Sequence, residues 1–203
     1  MSLDLTKETQ YLKILQSELI PACGCTEPIA LAYAAATLRS VFGEMPAHIT
    51  AECSGNIVKN VRSVNVPNAG TLRGIEAAVL VGAVAGSPER KLEVLSEVKP
   101  EEISGVSKMI LDGICDVRLL HSLSPLHIIL SASGNGHTAL VELRDTHTNI
   151  VRIEKDGQIL HKADIVQESA CEVDYSGLNV KDIVCYADSV ETVSYTHLRA
   201  HET

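Results

Sequence analysis

The sequence contains no tryptophan, a single phenylalanine and only 3% aromatic residues. A chain so short of rings has no evident platform on which bases or sugars stack. Basic residues are also scarce: 17 Lys and Arg stand against 26 Asp and Glu, a net charge of −9, and no Lys/Arg cluster is dense enough for a nucleic-acid footprint. Long apolar runs are missing. Stretches such as Ala77–Gly86 fall far short of the roughly 20 residues a membrane-spanning helix needs. The polar segment Met1–Gln10 lacks the apolar core of a secretory signal. The expectation is a cytoplasmic protein with neither nucleic acid nor membrane as partner. Its cysteines, at 23, 25, 53, 115, 171 and 185, are then expected to be free, metal-bound or catalytic rather than disulfide-bonded. No second close pair accompanies Cys23 and Cys25, which argues against a self-contained zinc site.

What is present is apolar mass in small and branched side chains. Hydrophobic residues make up 45% of 203, enough to bury a core and to exclude general disorder. Leu5, Leu12, Leu15 and Leu19 fall on one helical face ahead of Pro21. Ala47–Cys53 alternates, with Ile49, Ala51 and Cys53 on one face, and reads as a strand leading into a turn at Ser54-Gly55-Asn56 and a short helix. Val64–Val66 reads as a short strand and Ile75–Ala85 as a buried helix, with Gly74, Gly82 and Gly86 allowing close approach. Helices are expected over Glu89–Val98 and Pro100–Leu111. From about residue 114 the pattern turns to strands at 117–120, 126–131, 139–143, 150–154 and 159–163, before a last helix over 180–190. The fold class is α+β, a helical N-terminal half with a β-rich subdomain. The expected divisions are 1–113, 114–165, 166–193 and a tail at 194–203.

The richest segment is Cys23-Gly24-Cys25-Thr26-Glu27-Pro28. Thr26 suits an N-cap, Glu27 and Pro28 suit a first turn, and an Ala-rich run carries the helix to Gly43. A cysteine just before a helix start meets backbone N–H groups and the positive dipole end, so the thiolate is expected to be favoured there. Ser54, Asn56 and Asn60 offer neutral donors suited to a carboxylate, and Lys59 adds charge or, once desolvated, a base. The plain reading of the same residues is a turn and a solvated lysine. His147-Thr148-Asn149 reads either as a substrate contact or as a loop whose Thr and Asn bond their own backbone. His48, His121, His127, His137 and His161 read as surface or core histidines, and Cys53 and Cys115 as buried thiols.

Four runs in order resemble the N-terminal part of the L-cysteine desulfidase family, relatives of the iron–sulfur L-serine dehydratase α chain. They are Gly24-Cys25-Thr26-Glu27-Pro28, Ser54-Gly55-Asn56 with Lys59-Asn60, Val66-Pro67 before the Gly/Ala-rich helix, and His147-Thr148-Asn149-Ile150-Val151. The resemblance spans most of residues 10–165. It implies a lyase that eliminates sulfide and ammonia from cysteine to leave pyruvate, or acts on serine, with a [4Fe–4S] cluster as cofactor. It implies Cys25 as a cluster ligand, Lys59 as a catalytic group, and Ser54, Asn56, Asn60, His147, Thr148 and Asn149 around an amino-acid substrate. An oligomer is compatible with it. Relatives of that family are longer, and two further cluster cysteines are expected outside this chain. Ser194–Thr203 looks like translated adapter read-through instead, so His197 and His201 are expected to belong to no site. Two readings from other classes compete: a non-catalytic amino-acid-binding or regulatory domain, and a thiol redox protein using Cys23 and Cys25.

Overall fold

The computed structural model describes residues 4–19, 22–163 and 174–189. The expected tail at 194–203, with His197 and His201, lies outside these residues, as does Cys171. In chain order the elements are α1 (Leu5–Glu18), α2 (Thr26–Phe42), β1 (His48–Ser54), α3 (Gly55–Val61), α4 (Ile75–Ala85), α5 (Val106–Leu111), β2 (Cys115–Leu120), β3 (His127–Gly134), β4 (His137–Arg144), β5 (Ile150–Lys155), β6 (Gln158–Lys162) and α6 (Val180–Ser189). The chain divides into two units, Ala22–Ile165 and a smaller one formed by Met1–Pro21 with Val166–Thr203.

In the smaller unit, Asp4 caps α1 by accepting from the Thr6 N–H at 3.5 Å. Tyr11 is buried, and its ring meets Tyr186 of α6 edge-on at a centroid distance of 5.4 Å. The leucine stripe does not make this seam: Leu5, Leu12 and Leu19 are exposed.

The larger unit is a six-stranded mixed sheet with helices on one face, so the α+β class holds. Strand order is β2-β1-β3-β4-β5-β6, with β1 and β2 parallel and every other pair antiparallel. The period of two puts Ile49, Ala51 and Cys53 inward beside Ile128, Leu130, Val141 and Leu143, all fully buried under α2 and α4. Small residues let those two helices close tightly. A Cβ at Gly82 would lie 2.3 Å from the Ala32 carbonyl oxygen, so only glycine fits that crossing. The hairpin turns read from Asn135-Gly136 and Asp156-Gly157 have positive φ at both positions (48° and 82°; 49° and 79°), the twist a two-residue β-turn favours.

β1 comes from the helical half of the sequence yet lies between β2 and β3 from the β-rich half, so one sheet runs across position 113/114. Two expected helices are largely absent. Residues 88–93 form a short 3-10 stretch with Lys91 at φ 50°, because the carbonyls of Leu92 and Val94 accept from Cys23 and Ser87 instead of continuing a helix. Residues 100–105 are turns in which Glu102 accepts from the Lys99 N–H and Ser104 donates to the Glu101 carbonyl, so helix begins only at Val106. The strand expected at 64–66 reduces to one bridge between Asn65 and Arg73.

Candidate functional site

Register fixes where the dispersed motifs meet. Ser54 pairs with Leu120, Cys53 with Ile128, His127 with Arg144 and Leu143 with Ile150. The ends of β1, β2 and β4 and the starts of β3 and β5 therefore share one end of the sheet. Ser54–Asn60 leaves that end through α3, and His147–Asn149 turns over it between β4 and β5.

The start of α2 joins them through Glu27. Asn60 donates its amide to Glu27 Oε1 at 3.1 Å, while Thr26 Oγ1 and Cys25 Sγ donate to Oε2 at 3.3 and 3.4 Å. Burial works against ionisation of Glu27, but its own backbone N–H and these three donors outweigh it and hold the carboxyl below the usual range. His147 lies within reach of that charge. Burial pushes its imidazole below the ordinary value, and Glu27 opposes the shift. The Val66-Pro67 motif closes on the same loop: Gly24 has φ 110°, and a Cβ there would sit 3.1 Å from Pro67 Cγ. Cys25, Asn60, His147 and Pro67 thus gather around the start of α2.

Two local expectations change. Cys25, not Thr26, occupies the N-cap position of α2, since the Thr26 hydroxyl turns to Glu27. The Cys25 thiol is pushed up, not down, by partial burial first and then by the hydrogen bond and charge of Glu27. The one contribution in the expected direction, from the Glu27 backbone N–H, is the smallest. Here the dipole loses to burial and to an adjacent carboxylate. Cys23 points toward the core, its thiol also raised by burial, and its N–H donates to Leu92.

On α3, Asn56, Lys59 and Asn60 stand at i, i+3 and i+4 and share a face; Asn56 and Lys59 are exposed. Ser54 is 2% exposed, and its hydroxyl donates to the Pro125 carbonyl at 2.7 Å and accepts the His127 N–H at 3.4 Å. It braces the loop before β3 and sits beneath the surface. Asn149 donates its amide to the Arg144 carbonyl at 3.0 Å and so closes its own loop, as the plain reading had it, while His147 and Thr148 stay half-buried beside it. Nearby, the buried His127 joins two half-buried polar residues, a chain that single histidines did not announce. His127 Nε2 meets Glu142 Oε1 at 2.9 Å and Nδ1 meets Ser122 Oγ at 2.8 Å. Cys53 and Cys115 are buried, each thiol pushed up to about 12 by desolvation.

The residue that sequence reasoning undervalued is Glu27, taken only as a first-turn acid. Its position two residues after Cys25 was the available signal; its contact with Asn60 was not. Among the described residues no group of three His, Cys, Asp or Glu is placed to hold a metal ion. No helix among them is long and apolar enough to cross a membrane.

Comparison with known proteins gives sequence relatives only. No protein-family model matches the chain, and no solved structure matches it. A UPF0597 protein of Lachnoclostridium phytofermentans is 45% identical over 182 residues, covering 90% of this chain and 44% of the relative. One from Treponema denticola is 43% identical over 192 residues, covering 94% and 44%, and one from Finegoldia magna is 42% identical over 182, covering 89% and 44%. These names state no reaction and no ligand. Homologues of this chain are therefore proteins named UPF0597, of which it spans a little under half the length.

Proposed function

We propose that the chain forms part of a cytoplasmic lyase site for β-elimination on L-cysteine, giving pyruvate, ammonia and sulfide, or on L-serine. The observation that supports this is the convergence of three motifs, spread over more than a hundred residues, on one end of the sheet around Glu27. Packing alone does not require an ionised carboxylate, an exposed thiol and an amide-bearing helix face to meet there.

Elimination needs the substrate held, its α-proton removed and its β-substituent expelled. The amides of Asn56 and Asn60 orient the carboxylate, and His147 and Thr148 border the bound molecule. Lys59 is assigned the α-proton. An ammonium cannot accept a proton, so that role requires the longer protein to cover this exposed side chain. The [4Fe–4S] cluster implied by the motifs would supply Lewis acidity toward the leaving group. The described residues do not hold such a cluster by themselves, since they offer no group of three ligands. Cys25, an exposed thiol, is proposed as one ligand, with the others in the remaining length of the longer proteins.

The test uses the complete Treponema denticola relative, purified anaerobically and reconstituted with iron and sulfide. Sulfide, ammonia and pyruvate should form in equal amounts from L-cysteine, or ammonia and pyruvate without sulfide from L-serine. Turnover of neither amino acid would defeat the proposal, and saturable binding without turnover would favour the regulatory-domain reading.

A further inference from the structure

A hydroxyl, an imidazole and a carboxyl group line up on the sheet face turned away from α2 and α4. His127 and Glu142 alternate with Ile128, Val141 and Leu143, which point inward, so both lie on that outer face. Ser122 Oγ is 2.8 Å from His127 Nδ1, and Glu142 Oε1 is 2.9 Å from Nε2. A carboxylate only accepts, so Nε2 carries the proton, and Nδ1 of the neutral ring accepts the Ser122 O–H. That tautomer can take a proton from the hydroxyl. The loop is pinned on both sides of the histidine's partner: Ser124 donates to the Leu126 carbonyl, and Ser54 to that of Pro125. Ser122 Oγ also accepts the Ser124 N–H at 3.1 Å, which leaves it one lone pair. His127 is 8% exposed, whereas Ser122 is half-buried and Leu123 fully exposed, so the line opens to solvent at the serine. The N–H of Leu123, next after the hydroxyl, donates to no group among the described residues. Arg144 stands opposite His127 in the β3–β4 pair. Asp145 approaches its Nε at 3.5 Å, and its guanidinium makes no hydrogen bond among the described residues. The reading of the site around Glu27 uses neither Ser122, His127 nor Glu142.

We propose that Ser122 is the nucleophile of a second site, for acyl transfer from small carboxylic esters that bear an anionic group. Oγ attacks the ester carbonyl carbon while its proton passes to His127 Nδ1. The Leu123 N–H faces the oxyanion that develops, and Glu142 holds the imidazolium. Collapse breaks the bond to the alcohol part, which leaves with the proton from Nδ1. Water repeats the sequence on the acyl-serine and releases the acid. His127 is the base, Glu142 its positioning residue, and Arg144 the group that meets the substrate's charge.

A fluorophosphonate probe reads the nucleophile directly: Ser122 Oγ bonds to phosphorus, fluoride leaves, and the proton passes through Nδ1. Peptide mass spectrometry of the 203-residue chain should find the adduct on Ser122, and not on Ser54 or Ser124, whose hydroxyls are committed to carbonyls. The urea-unfolded chain should not be labelled. His127→Gln should slow labelling at least about a hundredfold, the share of a positioned base. Mono-4-nitrophenyl succinate should release nitrophenolate about three to five times faster than 4-nitrophenyl acetate, the worth of an exposed ion pair. Arg144→Gln should bring those two rates together. Glu142→Gln should lower the maximal rate about tenfold and leave the half-saturating ester concentration unchanged. No adduct on native Ser122, or equal labelling of native and unfolded chain, overturns the site and leaves His127 a structural link only. An undiminished rate in folded His127→Gln overturns the base, one in folded Glu142→Gln the positioning role, and equal rates with the two esters the anionic substrate.

Discussion

Replacing Gly82 by alanine tests how far the two central helices depend on contact without a side chain between them. The added Cβ would fall 2.3 Å from the Ala32 carbonyl oxygen, 2.5 Å from its Cα and 2.7 Å from its carbonyl carbon. Those atoms are backbone, so no rotamer change relieves the overlap. Ordinary contact lies about 1 Å farther out, and the helices must separate by a comparable amount. Separation loosens Ile29, Leu31, Ala78 and Leu80, which are fully buried. Overpacking of this kind costs about 1–3 kcal/mol, and loosened burial adds about 1–2 kcal/mol, against about 1 kcal/mol gained from the better helix propensity of alanine. The net loss should be about 1–4 kcal/mol, or roughly 3–15 °C in Tm for a unit of this size. Thermal and urea unfolding followed by circular dichroism measure it. Gly105→Ala is the control: its Cβ meets nothing within 4 Å and its φ is −83°, so stability should stay within about 0.5 kcal/mol. A Gly82→Ala protein as stable as its parent would show that the tight crossing does not exist in solution.

Other perturbations reach the site end. His147 has its folded pKa lowered by burial, below the 6.5 expected when unfolded. The unfolded chain therefore takes the proton first, and stability is full above about pH 7 and falls as pH drops through 6.5. His147→Gln should flatten that decline between about pH 7.5 and 5.5 in denaturant titrations; equal slopes would remove His147 as a cause. His127→Ala should cost about 1–3 kcal/mol, because it removes a buried ring and both of its hydrogen bonds to the half-buried Glu142 and Ser122; a loss below about 0.5 kcal/mol in urea melts would contradict the chain described. Native alkylation near pH 8 should label Cys25 and leave Cys53 and Cys115 untouched until denaturant is added, since both are buried with thiols near 12. Native labelling of Cys53 would place it elsewhere than under the sheet.

Much of the fold was legible where the governing interactions are local. The alternation at Ile49, Ala51 and Cys53 matched the buried face of β1, and the Asn-Gly and Asp-Gly pairs marked true hairpin turns. Glu89 and Pro100 looked like helix starts by the same local logic, but the carbonyls of Leu92 and Val94 accept from Cys23 and Ser87, and Glu102 turns back to the Lys99 N–H. The sheet order was hidden for a related reason: nothing in β1 itself says that its neighbours arrive more than sixty residues later. At the site, Cys25 and Asn60 could be nominated by motif, whereas the part played by Glu27 depends on a hydrogen bond to a residue 33 positions away. The raised Cys25 thiol needed the same knowledge, because its shift is set first by how far the folded chain buries it and then by the carboxylate turned toward it.

The position of β1 also governs the order in which a ribosome can deliver this unit. Its two neighbours are β2 and β3, and β3 ends only at Gly134. At about 5–20 residues per second, β1 waits several seconds with both hydrogen-bonding edges open. During that interval α2 and α4 can pack on each other but have no complete sheet to cover. Closure of the core is thus a late event, set by the arrival of β2 and β3 on the two sides of β1.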